Sequence, residues 1–240
     1  MRVLTIIHQD DAGPGVFAEV AGAELEMWRV DRDPTPSLDG VDAALVLGAA
    51  ANVNDAEGNP WMTEDLRVVA ELLDRGVPTL GVCLGAQLVA KAAGGSVERA
   101  AAPEIGWYEV ALEEAAVDDP VIGALPQRFE SFQWHSYVAA PPAGTEPLAR
   151  SAHCLQAFRL TGAPAWGIQF HAEVSAAAAA AWTRHYDHDE DAVAMGVDPV
   201  ALQAETDQKI AGWNQLGRDL FARFLAVGAV PPGRPPRTPA

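Results

Sequence analysis

The sequence predicts an α/β fold: an open, mostly parallel sheet with helices on both faces and a small antiparallel extension. Three observations lead there. Apolar runs at residues 3–8, 25–30, 43–47 and 77–82 have the length and continuity of strands buried on both faces. Helical segments alternate with them, as in a sheet built by crossover connections. From residue 96 the style changes to shorter strands joined by proline-bearing turns, before a buried run and a long helix close the pattern.

Taken in order, residues 3–8 form a first strand, and the glycine-bearing stretch 9–15 turns into a short helix through residue 21. A second strand at 25–30 leads to a surface loop carrying Pro34 and Pro36. The third strand, 43–47, ends at Gly48-Ala49-Ala50. Residues 62–75 place Leu66, Val69, Ala70 and Leu73 on one helical face. Residues 77–82 are the next strand, and good helix formers from 86 to 93 stop at Gly94-Gly95. Strands at 107–112, 128–134 and 155–160 make the antiparallel part, and 165–170 returns to the main sheet. An alanine-rich helix covers 176–186. The last helix, 200–227, packs Leu216, Leu220, Phe224 and Val227 on the core. Residues 1–230 form one domain, and the proline-rich tail 231–240 is expected to be disordered.

Sixteen basic against 33 acidic residues leave a net charge of −17, and 49% hydrophobic content suits one buried core. Such an acidic surface repels phosphate backbones and anionic headgroups, and no basic patch offsets it, so neither nucleic acid nor membrane is an expected partner. No apolar run reaches membrane length, and residues 1–7 pass too soon into polar sequence for a signal peptide. The two cysteines, Cys83 and Cys154, form no CxxC pair, and a reducing cytoplasm is the expected location.

The stretch that organises the chain is Thr79-Leu80-Gly81-Val82-Cys83-Leu84-Gly85-Ala86-Gln87. It places Cys83 between a strand and a helix with glycine two residues to either side, the pattern of a nucleophile elbow. Oriented amides at a helix N-terminus favour an anion such as a thiolate. A cysteine nucleophile needs a base, and the base needs an orienting group. His171, at the end of a later strand, and Glu173, two residues on, supply both. The tetrahedral oxyanion formed by attack on a carboxamide needs amide donors, for which Leu84 and the Gly48-Ala49 loop are the candidates.

Gly81-Val82-Cys83-Leu84-Gly85-Ala86-Gln87, with Gly167-Ile168-Gln169-Phe170-His171-Ala172-Glu173, resembles the class I glutamine amidotransferases, the Cys-His-Glu triad group. The likeness extends over most of the chain and is greatest to stand-alone chains similar to the amidotransferase domain of GMP synthase. It implies a flavodoxin-like sheet, a thioester on Cys83, and a glutamyl pocket lined by Gln87 and the Gly85 region. It also matches His135 of Trp134-His135 to a family element, with Tyr137 where an acid is more usual. Two further departures are visible. Ala172 replaces a proline, and Gly48-Ala49-Ala50 stands where the family reads Gly-Gly-Pro, so a glycine-only conformation at the second position would be strained at Ala49.

The run His185 to Asp191 contains metal-ligand residue types but reads as an acidic, solvated helix end, and neither metal nor cofactor is expected. Cys154 reads as an ordinary buried thiol. Trp107 and Trp134 read as core and rim packing. The expected activity is hydrolysis of a γ-glutamyl amide by a self-sufficient enzyme. A glutaminase feeding ammonia to a separate synthetase, and a regulatory binding protein of the same fold, are the alternatives.

Overall fold

Period-two burial builds the sheet. In β1 (Arg2–Ile7), Val3 and Ile7 face one core while Leu4 and Ile6 face the other. In β3 (Ala43–Val46), Ala43 and Leu45 divide from Ala44 and Val46 in the same way. The structure is a computed structural model and describes residues 1–229, so the expectation for the 231–240 tail lies outside the described residues.

β2 (Glu24–Arg29), β4 (Thr79–Val82) and β9 (Ala165–Ile168) join these two in the parallel order β2-β1-β3-β4-β9. The same sheet continues antiparallel through β8 (Leu155–Arg159), β7 (Glu146–Arg150), β5 (Ser96–Leu112) and β6 (Arg128–Ala140). α1 (Met62–Asp74) and α2 (Leu84–Ala92) cover one face with Val68, Leu72, Leu88 and Val89. α5 (Pro199–Gly228) covers the other with Leu220, Phe221 and Phe224, and Phe221 stacks on Phe17 at 4.6 Å. α3 (Ala176–Arg184), capped by Ser175, and the short α4 (Glu190–Ala194) flank the carboxyl edge.

The α/β class and its helix-covered sheet agree with the sequence reading, but the antiparallel part is larger than expected. β5 has 17 residues and begins at Ser96 rather than Trp107, because its ladder with β6 resumes at Glu104 after an irregularity that contains Pro103. β7 was not anticipated. Its Pro147 removes a ladder donor, and the pairing with β8 is irregular there. Residues 15–19 form a 3₁₀ helix rather than an α-helix. No helix among the described residues is long and apolar enough to cross a membrane.

Candidate active site

Cys83 takes φ 53° and ψ −108°, and is the one non-glycine with positive φ among the described residues. Its backbone N–H donates to Ile168 O of β9 at 2.8 Å, so the corner is pinned across the β4–β9 ladder. The two flanking glycines are required by space. A Cβ on Gly81 would overlap the Gly85 carbonyl, and one on Gly85 would overlap the Val46 carbonyl of β3. The elbow is thus a strained turn pressed against the sheet, held by neighbours that have no side chain.

His171 leaves the end of β9 fully inside the protein, with its N–H donating to Phe132 O at 2.9 Å. Its Nδ1 lies 2.7 Å from Glu173 Oε1, and Trp182 meets the ring edge-on at 4.9 Å. Burial disfavours charge on this imidazole, but the negative charges of Glu173 and Cys83, and hydrogen bonding to both, outweigh it and raise its pKa to about 10. The three residues that the sequence assigned to one reaction therefore meet at the carboxyl ends of adjacent parallel strands.

The Gly48-Ala49-Ala50 loop closes over this pair. A Cβ at Gly48 would stand 3.1 Å from His171 Cε1 and 3.4 Å from Cys83 Cβ, which explains a glycine there. Ala49 has no left-handed φ, so the strain anticipated for it is absent. Ala50 N–H donates to Gln9 Oε1 at 2.9 Å, tying the loop to the turn after β1. Among the described residues, neither the Ala49 nor the Leu84 backbone amide has a protein acceptor. Both residues border the cleft beside Cys83.

That cleft, about 490 Å³, is lined by Cys83, Leu84, Gln87, His135, Tyr137 and His171 among others. Gln87 donates to Tyr137 O at 2.9 Å and, among the described residues, keeps a buried Oε1 without a protein partner, an acceptor for a bound donor. Gly85 is not on the cleft wall and serves the packing of α2 against β3. His135 is buried, and its pKa is lowered by that burial, partly offset by Glu104. Cys154 is half-buried rather than buried, and donates to Glu104 Oε2 at 3.2 Å. Burial and the Glu104 charge push its thiol up to about 12.

Trp134 combines two roles. Its carbonyl accepts from Cys83 Sγ at 3.9 Å, and its indole donates to Asp189 Oδ2 at 2.9 Å. Asp189 belongs to the acidic run and caps α4, so that run forms part of the cleft rim. Sequence reasoning missed Gln9 and Trp182. Neither has a motif around it, since each acts through a contact distant in the chain.

Known proteins resemble this chain along most of its length. Residues 18–183 match the family model described as glutamine amidotransferase class-I. GMP synthase (glutamine-hydrolyzing) of Aeropyrum pernix is 33% identical over 142 residues, which cover 59% of this chain but only 27% of that protein. The glutamine amidotransferase-like protein YfeJ of Salmonella typhimurium is 27% identical over 237 residues, covering 94% of this chain and 96% of that one. The crystal structure of a glutamine amidotransferase from Methylobacillus flagellatus superposes with a TM-score of 0.83 at 27% identity, covering 99% of this chain and 98% of the other. A family match across residues 18–183, carried on a fold shared almost end to end, shows that the chain belongs to the class I glutamine amidotransferases.

Proposed function

We propose that the protein hydrolyses a γ-glutamyl amide through a thioester on Cys83. The observation that carries this is the elbow cysteine beside a buried His171–Glu173 pair, with two backbone amides free to donate to an oxyanion. Cys83 Sγ attacks the γ-carbonyl carbon, and the negative charge moves to the carbonyl oxygen facing the Leu84 and Ala49 amides. His171 gives its proton to the leaving nitrogen, the C–N bond breaks, and ammonia or an amine departs. His171 then takes a proton from water as the hydroxyl attacks the thioester, the C–S bond breaks, and glutamate leaves. Glu173 holds the ring orientation and stabilises the imidazolium.

Self-sufficiency is favoured by the elbow cysteine, the His171–Glu173 pair and two unpaired amides lying in one chain. A second reading, a glutaminase serving a separate synthetase, is favoured by the GMP synthase match, in which this chain corresponds to 27% of the relative. The two differ in one measurement. The isolated protein is incubated with glutamine, γ-glutamyl dipeptides and γ-glutamyl amines, and released glutamate is followed against Cys83→Ala. Turnover above that blank for one class supports the self-sufficient hydrolase, whereas none for any class rejects it in favour of partner-dependent activity.

A further inference from the structure

Away from the nucleophile, three ligand-type side chains converge inside the antiparallel half of the sheet. Glu104 and His135 are direct partners in the β5–β6 ladder, so their side chains share a face. Glu104 Oε2 is 3.2 Å from His135 Nε2 and 3.2 Å from Cys154 Sγ. One donor atom from each of the three residues lies within 4.8 Å of the others. The side chains of Glu104 and His135 are 0% and 1% exposed.

Hydrogen bonding inside the protein satisfies this cluster only in part: Glu104 Oε2 accepts from Cys154 Sγ and Gln156 Nε2. Among the described residues, neither ring nitrogen of His135 has a hydrogen-bond partner, and the contact of Nε2 with Glu104 falls outside hydrogen-bond geometry despite its short distance. Glu104 Oε1 is likewise buried and unpartnered. Buried polar atoms are almost always satisfied, so unpaired ones on two residues of one cluster call for a missing partner.

We propose that Glu104, His135 and Cys154 bind a thiophilic divalent transition metal, with zinc the best fit. Imidazole nitrogen, thiolate sulfur and carboxylate oxygen together are a zinc donor set. Zinc bonds of about 2.0–2.3 Å around a tetrahedral centre put ligand atoms roughly 3.3–3.8 Å apart, close to the 3.2 Å separations of Glu104 from His135 and from Cys154. The fourth side is occupied by the Gln156 carboxamide, whose nitrogen is 2.6 Å from Glu104 Oε2 and 3.2 Å from Cys154 Sγ. Its oxygen accepts from Gln133 Nε2 at 2.8 Å, so a half-turn that presented this oxygen to an ion would give up that bond.

Charge balances on binding. The Cys154 thiol releases its proton to solvent, its S–H···O contact gives way to a sulfur–metal bond, and thiolate plus carboxylate neutralise the dication beside a neutral imidazole. Half-exposed Cys154, next to exposed His153, gives the ion a way in from the surface. A bound ion would tie the β5–β6 ladder to the turn that precedes β8. It would also fix His135, which borders the catalytic cleft.

The test uses the full chain carrying Cys83→Ala, so that Cys154 is its one thiol. After chelator treatment, cobalt(II) is titrated as a spectroscopic stand-in. One equivalent should produce a near-ultraviolet thiolate-to-cobalt band that zinc abolishes. Stoichiometric zinc should also slow alkylation of Cys154 by about tenfold or more and raise Tm. The double variant Cys83→Ala/Cys154→Ser should lose the band, and Glu104→Gln in the Cys83→Ala chain should weaken binding about tenfold or more. No thiolate band in the Cys83→Ala chain, or alkylation unchanged by zinc, overturns the proposal and leaves a metal-free polar cluster. A band that survives Cys154→Ser overturns it as well. None of these readings depends on turnover, so failure here is distinct from failure of the proposed hydrolysis.

Discussion

Gly217 of α5 lies against the carbonyl of Ala172, where a Cβ would overlap the oxygen. One turn earlier, Trp213 Nε1 donates to His171 O at 2.9 Å, and Asn214 Nδ2 donates to Val174 O at 2.6 Å. The C-terminal helix thus grips the segment that carries His171 and Glu173, although it supplies no side chain to the cleft wall. This grip provides rigidity in a segment where Ala172 replaces the family's usual proline.

Gly217→Ala is therefore expected to lower both stability and turnover. Helix propensity favours alanine by about 1 kcal/mol, but overpacking against a fixed carbonyl costs about 1–3 kcal/mol, so the net effect is a loss. Displacement of the His171 segment should reduce kcat by roughly tenfold or more. Thermal melts and steady-state kinetics on the preferred substrate check both. A more stable, fully active variant would show that the segment shifts freely.

The elbow separates chemistry from strain. Cys83→Ala should abolish turnover while keeping the backbone strained, since alanine still carries a Cβ at φ 53°. Cys83→Gly should be equally inactive but more stable than Cys83→Ala by about 1 kcal/mol, the relief of left-handed strain less the greater entropy of unfolded glycine. Denaturant titration of the two variants decides it, and a less stable glycine variant would mean that the corner is not strained.

For His171 the pH dependence has a definite sign. Its pKa is raised to about 10, so the imidazolium persists through neutral pH and is lost as pH rises through that value. The related contribution to stability is complete below the ordinary histidine value of about 6.5 and disappears over the same alkaline range. The alkaline limb of kcat/KM should fall near pH 10, as a property of the coupled Cys83–His171–Glu173 group. Glu173→Gln removes a charge that raises the pKa and should move the limb to lower pH. Identical profiles in the two proteins would exclude an electrostatic role for Glu173.

The loop at Gly48-Ala49 should respond unequally to substitution. Ala49→Gly is expected to change kcat by no more than about twofold, far less than the roughly 100- to 1000-fold effect of gaining or losing an oxyanion donor, because Ala49 already has an unstrained φ. Gly48→Ala should cost roughly tenfold or more, since the new methyl pushes on the His171 ring. Kinetics of the pair test this directly, and a large gain in Ala49→Gly would show that the loop is misaligned as it stands.

What could be read from the sequence follows from how local each signal is. The elbow and the His-x-Glu strand end are short patterns, and Cys83, His171 and Glu173 meet as their spacing implied. The parallel strands were legible because burial on both faces leaves them almost wholly apolar. β5 and β7 were truncated or missed because Pro103 and Pro147 sit at ladder irregularities, where proline normally argues against a strand. Ala49 looked strained because residue identity was the only guide to its backbone, and the dihedral removed that concern. The contacts of Gln9, Trp182 and Gly217 depend on distant partners, which no periodicity reports.

The β4–β9 ladder has one more consequence, for the order in which the protein becomes reactive. Cys83 belongs to the first half of the chain, and His171 arrives just after the last strand of the sheet, gripped by the helix that follows. Contacts so distant in sequence form late, once loop closure has been overcome. A chain still emerging from synthesis, or caught partway through refolding, therefore carries Cys83 without His171 beside it. On the proposed mechanism, nucleophilicity is withheld until the fold is all but complete, and recovery of Cys83 thiol reactivity is expected to serve as a clock for the final stage of folding.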